Sequence, residues 1–218
     1  MLQGIKLIIY DLDGVLIDSN PAIKTSIENS LQELGLDYEI DKIMELMGTP
    51  LDKIYEKIFN EEDQEKIPEA VEKYRAYYRE KGKIEIEIQE NVFETLKYFK
   101  ENRLKQSIAS NSSRALMRPI LSELGIMEYI DLFIGVEDVE NPKPDPCPLR
   151  VTMEQLGISE DATIFIDDSA TGLGSGKKAG VHTAGITTGV HTVKQIISKN
   201  PDFILTRLDD LKQIINVN

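Results

Sequence analysis

Short apolar runs alternate along most of this chain with segments of helical periodicity. The runs are rich in β-branched residues, and polar residues or glycine follow several of them, as expected for buried strands of a parallel sheet. Between the runs, apolar side chains recur every three to four residues, and several of these segments end at glycine, a common helix stop. This alternation predicts βαβ units, and therefore an α/β fold with a doubly wound parallel sheet. The predicted strands are residues 5–10, 107–110, 132–136, 163–166 and 182–186.

One stretch, residues 16–86, interrupts the alternation. Its apolar residues keep helical spacing, as in Ile23, Ile27 and Leu31, and it contains no clear buried strand. We therefore predict a helical domain at 16–86, inserted into an α/β core formed by 1–15 and 87–218. A chain of 218 residues is long enough for one such core with an insertion.

The charge balance limits the classes of partner. The chain has 38 acidic and 25 basic residues and a net charge of −13, which argues against general binding to nucleic acid or to anionic membranes. A small phosphate substrate stays possible, because a bound metal ion can reverse the local field.

The chain shows no signal for export or membrane insertion. Its first apolar run is short and lacks a signal-peptide cleavage site, and no run approaches the roughly 20 residues that span a bilayer. A cytoplasmic location is the default expectation. The single cysteine, Cys147, excludes an intramolecular disulfide.

Two carboxylates, Asp11 and Asp13, directly follow the first predicted strand. Ligand sites in open α/β sheets lie beyond the carboxyl ends of strands. Neighbouring carboxylates repel each other unless they share a cation, and Mg2+ prefers such oxygen ligands. A carboxylate can also act as a nucleophile towards phosphorus. A solvated Asp-Gly turn is the alternative interpretation.

Three further positions have similar character. A second acidic pair, Asp167 and Asp168, follows another strand and could share a metal with the first pair. Ser110 and Asn111 end a third strand, where a hydroxyl and helix-start amides suit phosphoryl oxygens, although a simple helix cap fits as well. Lys143 lies between two prolines in a stiff loop that could direct it towards an anion, unless it is solvated.

Together, these four positions resemble the haloacid dehalogenase superfamily of phosphohydrolases. The first motif of that superfamily is matched by DLDGVL at residues 11–16, the second by Ser110, the third by Lys143 and the fourth by Asp167-Asp168. Their order and spacing match over nearly the whole chain. The helical insertion also matches the α-helical cap that the superfamily places after its first motif.

The resemblance implies a Mg2+-dependent phosphatase that works through an aspartyl-phosphate. Asp11 would be the nucleophile and Asp13 the general acid and base. Mg2+ would bind the carboxylates of Asp11 and Asp168 and the backbone carbonyl of Asp13, with Asp167 outside this ligand set. Dehalogenases need no acid at the position of Asp13, so its presence favours phosphoryl chemistry. The residues predicted to bind the phosphoryl group are Ser110, Asn111 and Lys143.

The identity of the substrate is less constrained. The run KPDPCPL at 143–149 and the C-terminal segment look like those of phosphoglycolate phosphatases, which makes 2-phosphoglycolate the leading candidate. Alternatives are a sugar-phosphate phosphatase, a β-phosphoglucomutase-like phosphotransferase, a pyrophosphatase, or a non-enzymatic regulatory protein on the same fold. Sugar-phosphate members usually carry a histidine where this chain has Ile23.

The cap should contribute to substrate choice. Its candidate contact residues are Gly48, Thr49 and Lys53. The predicted partner is a small phosphorylated metabolite, and the chain could act as a monomer or a homodimer.

Overall fold

The structure is a computed structural model that describes residues 1–46, 49–189 and 191–217, with only the backbone of 81–83. The strands in this part of the chain are β1 (Leu7–Tyr10), β2 (Ile17–Asp18), β3 (Glu87–Ile88), β4 (Lys105–Ala109), β5 (Leu132–Ile134), β6 (Thr163–Asp167), β7 (His182–Ile186) and β8 (Phe203–Leu205). The α-helices are α1 (Asn20–Glu33), α2 (Ile40–Met44), α3 (Leu51–Ile58), α4 (Ile67–Glu85), α5 (Val92–Glu101), α6 (Arg114–Glu123), α7 (Cys147–Leu156), α8 (Ala170–Ala179), α9 (Val193–Ile197) and α10 (Leu211–Ile214).

Six strands form one sheet in the order β5-β4-β1-β6-β7-β8, and every neighbouring pair is parallel. The chain builds outward from β1 first on one side and then on the other, which is the doubly wound arrangement predicted from the sequence. Strand β1 pairs with both β4 and β6, so the residues that follow these three strands emerge at one edge of the sheet.

Alternate side chains of β1 pack into two apolar clusters, one on each face of the sheet. Leu7 and Ile9 join a cluster under α7 and α8, whereas Ile8 and Tyr10 join the larger cluster that packs against α5, α6 and the helices of the insertion. Because side chains alternate along a strand, helices on both faces are needed to bury them. No described helix combines the length and the apolar character needed to cross a membrane.

Helices α1 to α4 occupy the segment between β2 and β3. The two strands form an antiparallel ribbon in which Ile17 faces Ile88, so the chain enters and leaves this helical segment side by side. The sequence pattern predicts no strand here, because a two-residue strand is too short to produce an alternation.

All five predicted strands are present, four of them with shifted ends. The predicted strand 132–136 ends at Ile134, because Val136–Asp138 form a 3-10 turn. The sixth strand, β8, was not predicted. It has three residues at the sheet edge, and Ile204 at its centre is 42% exposed, so it lacks the apolar run that marks a buried strand.

The central position of β1 leads to a stability prediction. Ile8→Ala should lower the free energy of unfolding by about 2–5 kcal/mol, because it leaves a cavity in a fully buried strand. The matched change Ile204→Ala in the exposed edge strand should cost less than about 1 kcal/mol. Urea unfolding measures both, and equal losses would contradict this account of the core.

Candidate active site

The four sequence motifs meet at the carboxyl edge of the sheet. Asp11 follows β1, Ser110 follows β4, Asp167 ends β6 and Asp168 comes next, while Lys143 comes from the loop before α7. Parallel pairing of β1 with β4 and β6 produces this convergence from positions that are far apart in the sequence. All of these residues except Asp167 line a cavity of about 150 Å³.

Lys143 is the central cation of the site. Its side chain is only 2% exposed, and its Nζ lies 2.9 Å from Oδ1 of Asp11 and donates to Oδ2 of Asp167 at 2.8 Å. Burial acts to lower the pKa of Lys143, but the Asp11 and Asp167 carboxylates more than compensate and raise it above its ordinary value. Lys143 therefore stays charged at the base of the cavity.

The side chain of Asn111 fixes the backbone of Lys143. The Lys143 N–H donates to Asn111 Oδ1 at 2.9 Å, and Asn111 Nδ2 donates to the Lys143 carbonyl at 2.9 Å. This reciprocal pair ties the lysine loop to the end of β4. Asn111 was predicted to bind phosphate, and in the structure its side chain positions the lysine.

Three buried carboxylates, Asp11, Asp167 and Asp168, form a cluster that could hold a metal ion. One oxygen from each lies within 4.8 Å of the others. Asp167 already has donors, since its Oδ1 accepts from the N–H and the hydroxyl of Ser169 at 2.7 and 2.6 Å, and its Oδ2 accepts from Lys143.

Asp168 is the member of the cluster without a donor. It is 5% exposed and has no hydrogen bond or ion pair with any described residue. Burial, reinforced by Asp167 and Asp11, raises its pKa well above the ordinary range. A buried carboxylate in this position fits a hard divalent cation shared with Asp11. Asp13 was predicted as a ligand through its backbone carbonyl, and its carboxylate is not part of the cluster.

The pKa of the Asp11 carboxyl is shifted in the same direction as that of Asp168. Burial, opposed by Lys143 and reinforced by Asp167 and Asp13, raises the pKa of its carboxyl to about 8. One ammonium therefore does not neutralise the cluster. A second cation beside Asp11 would favour the ionised form.

Asp13 is held by two hydroxyls. Ser112 Oγ donates to Asp13 Oδ2 at 2.7 Å, and Ser19 Oγ donates to Oδ1. Ser112 follows β4 in the core, whereas Ser19 lies at the start of α1, so the carboxylate contacts both parts of the chain. Neither serine was predicted as a site residue. Ser112 belongs to the polar run after β4, but nothing in the local sequence marks Ser19.

Residues 8–186 match the family described as haloacid dehalogenase-like hydrolase. The chain belongs to the haloacid dehalogenase-like hydrolase family. It is 31% identical over 212 residues to the phosphoglycolate phosphatase of Aquifex aeolicus, covering 97% of each chain. It is also 30% identical over 214 residues to the pyrophosphatase PpaX of Halalkalibacterium halodurans, covering 98% of each.

Solved structures share the fold of this haloacid dehalogenase-like hydrolase. A predicted phosphoglycolate phosphatase from Haemophilus somnus superposes with a TM-score of 0.86 at 24% identity, covering 97% of this chain and 98% of that one. A predicted phosphatase from Clostridium acetobutylicum gives 0.85 at 23%, covering 98% and 99%. At these identities the likeness shows the fold alone.

The structure describes two of the three residues predicted as cap contacts, and it brings one of them to the cavity. Thr49 lines the cavity, and Gly48 lies outside the described residues. Lys53 is not among the cavity-lining residues of the described chain. Its ammonium points along the exposed face of α3 to Glu56 at 2.7 Å. Arg75 on α4 is a cation of the same segment that does line the cavity.

Gly172 provides the space that Asp167 needs. A Cβ at this position would lie 1.7 Å from Asp167 Oδ2, whereas a Cβ at Gly174, in the same helix, would meet nothing within 4 Å. Gly172→Ala should therefore displace Asp167, lower the unfolding temperature and reduce activity at least tenfold. Gly174→Ala should be neutral or slightly stabilising, because it only removes backbone freedom. Thermal unfolding and phosphatase assays test this contrast, and equal behaviour of the two variants would contradict it.

The raised pKa values predict how pH affects metal binding. Asp11 has an ordinary value of 3.8 and a folded value of about 8, and Asp168 shifts in the same direction. The metal-free fold therefore keeps protons that the unfolded chain loses. Its extra stability is full below about pH 4 and is lost as the pH rises towards about 8.

A divalent cation favours the ionised carboxylates, so Mg2+ should raise the unfolding temperature more at pH 9 than at pH 5. Thermal unfolding in EDTA and in Mg2+ over this range measures the difference. Asp168→Asn should remove most of the Mg2+ effect. An equal Mg2+ effect at both pH values would argue against a metal bound at this cluster.

Proposed function

We propose that this protein is a Mg2+-dependent phosphatase that hydrolyses a small phosphomonoester through an aspartyl-phosphate on Asp11. The observation that carries the proposal is the buried cluster in which Lys143 lies between Asp11 and Asp167, with Asp168 beside them and Asp13 at the same cavity. Family membership supports hydrolytic chemistry at this position.

Asp11 and Asp13 would have different roles in the reaction. A carboxylate oxygen of Asp11 would form a bond to phosphorus while the bond to the leaving oxygen breaks, and Asp13 would give its proton to that oxygen. Asp13 would then take a proton from a water that attacks the phosphorus, which releases phosphate and restores Asp11. The hydroxyls of Ser19 and Ser112 hold the carboxylate of Asp13 in place for both steps.

The phosphoryl oxygens need positioned donors and cations, since their charge dominates the transition state. Lys143 and Ser110 line the cavity beside Asp11, and Asn111 lines it next to Ser110. The side chain of Asn111 contributes by holding the backbone of Lys143. These are the predicted phosphate-binding residues.

The carboxylates of Asp11 and Asp168 and the backbone carbonyl of Asp13 would hold Mg2+, which would neutralise charge on the phosphoryl group when bound. Asp167 stays outside this set, because both of its oxygens already accept hydrogen bonds. Its contribution is to fix the position of Lys143.

We also propose the division of the chain into a core, residues 1–15 and 87–218, and a helical cap, residues 16–86. The β2–β3 ribbon connects the two at a single place, and α4 of the cap contributes residues to the cavity above Asp13. Such a cap would exclude water from the reacting atoms and select the leaving group.

The leading substrate is 2-phosphoglycolate, supported by the similarity to the phosphatase of Aquifex aeolicus. Inorganic pyrophosphate is the second candidate, supported by the PpaX relatives. The cavity is small, and Ile23 presents an apolar side chain to it, which disfavours a sugar-phosphate phosphatase or a mutase. Because Asp11, Asp13, Lys143 and Asp168 are all present and grouped, a non-enzymatic role is disfavoured.

The roles of the two first-motif aspartates can be tested directly. Asp11→Asn should lower the turnover of p-nitrophenyl phosphate at least a thousandfold and Asp13→Asn at least a hundredfold, with thermal unfolding showing that both variants fold. Loss of a general acid and base costs about a hundred- to ten-thousandfold, and loss of a nucleophile costs more. The exposed Asp161→Asn serves as a control with wild-type activity. EDTA should stop the wild-type reaction, and full activity of either site variant would refute the proposal.

A further inference from the structure

One face of α4 forms the cap side of the cavity. The residues on this face, Val71, Tyr74, Arg75 and Tyr78, are spaced as positions i, i+3, i+4 and i+7. This spacing places them on one side of the helix. Three of them offer apolar or aromatic surface, and Arg75 alone adds a charge to this face.

Arg75 differs from most other cations of residues 16–86 in having no acidic partner. Five lysines there have a carboxylate oxygen within 4 Å: Lys24, Lys42, Lys53, Lys66 and Lys73. Among the described side chains, Lys57, Arg75 and Arg79 have none. Of these three, only Arg75 lines the cavity.

Arg75 lines the same cavity as Asp13, the residue proposed to protonate the leaving oxygen. Asp13 belongs to the segment that follows β1 in the core, whereas Arg75 is on α4 of the inserted helices. A leaving group protonated by Asp13 would therefore extend into the cavity that Arg75 lines. Asp52 also lines the cavity, but it forms no ion pair with Arg75.

We infer that Arg75 binds a second anionic group, a carboxylate or a phosphoryl group, carried by the leaving group of the substrate. The inference rests on the proposed phosphatase function and narrows it to small phosphates with two anionic ends. A planar guanidinium can bind either group through two parallel hydrogen bonds, which an isolated ammonium cannot reproduce.

The test compares substrates that differ only in the second anion. In saturating Mg2+, kcat/KM is measured for 2-phosphoglycolate, for inorganic pyrophosphate and for ethyl phosphate, in which a methyl group replaces the carboxylate. The proteins are wild type, Arg75→Gln, Arg75→Lys and the control Arg79→Gln. Arg79 is one helical turn further along α4 and is exposed, as Arg75 is, but it does not line the cavity.

Wild type should prefer at least one of the two substrates that carry a second anionic group over ethyl phosphate. Arg75→Gln should reduce that preference about ten- to a hundredfold, the usual value of a charged hydrogen-bonding pair. Arg75→Lys should restore part of it, and Arg79→Gln should retain it. The preferred substrate distinguishes a carboxylate from a phosphoryl group. An equal loss for all substrates, no loss, or the same loss in Arg79→Gln would overturn the inference.

A binding measurement separates failure of this inference from failure of the proposed function. In the Asp13→Asn background, calorimetry with Mg2+ measures binding of 2-phosphoglycolate, pyrophosphate and ethyl phosphate, with and without Arg75→Gln. If wild type hydrolyses nothing but Arg75 still determines the preference in binding, the phosphatase proposal fails and the anion site stands. If binding shows no preference that depends on Arg75, the anion site is refuted whatever the activity.

Discussion

The ammonium of Lys143, buried between Asp11 and Asp167, is the interaction on which the site depends. It connects the ends of β1 and β6 with the loop before α7, three segments that are distant in the sequence. Burying a charge is costly unless it is paired and hydrogen-bonded. Several other features therefore maintain this geometry. Asn111 fixes the lysine backbone, and Gly172 leaves room for Asp167.

The charges of this cluster do not balance. Three carboxylates face one ammonium, and Asp168 has no donor among the described residues. The raised pKa values of Asp11 and Asp168 express the same excess of negative charge. A fold optimised only for stability would not retain this excess, since removing a carboxylate would relieve the repulsion. A requirement for a bound cation accounts for it.

Much of the core and of the site could be predicted from the sequence, because both depend on local patterns. Buried strands appear as apolar runs, and a carboxylate directly after such a run must lie at the sheet edge. The edge strand β8 could not be predicted, because it is short and half exposed. Ser19 could not be predicted either, since its contact with Asp13 depends on how α1 meets the core.

The basic residues of the cap show most clearly what could not be predicted from the sequence. Lys53 and Arg75 are both basic residues on amphipathic helices, and sequence spacing does not tell which one faces the cavity. Spacing identifies the buried stripe of a helix, but the neighbour that covers the stripe is set by tertiary packing. Arg75 belongs to the stripe of Val71, Tyr74 and Tyr78, which covers the site, whereas Lys53 lies beside Glu56 in solvent.

The net charge of −13 has a different meaning in each part of the molecule. Among the described side chains of residues 16–86, most lysines are paired with nearby carboxylates, which leaves an acidic surface that repels large polyanions. In the cavity, the two cations Lys143 and Arg75 face four carboxylates, Asp11, Asp13, Asp52 and Asp168, so the lining keeps an excess of negative charge. A divalent cation held by Asp11 and Asp168 would offset that excess. Binding of a small phosphate by so acidic a chain would therefore depend on this cation.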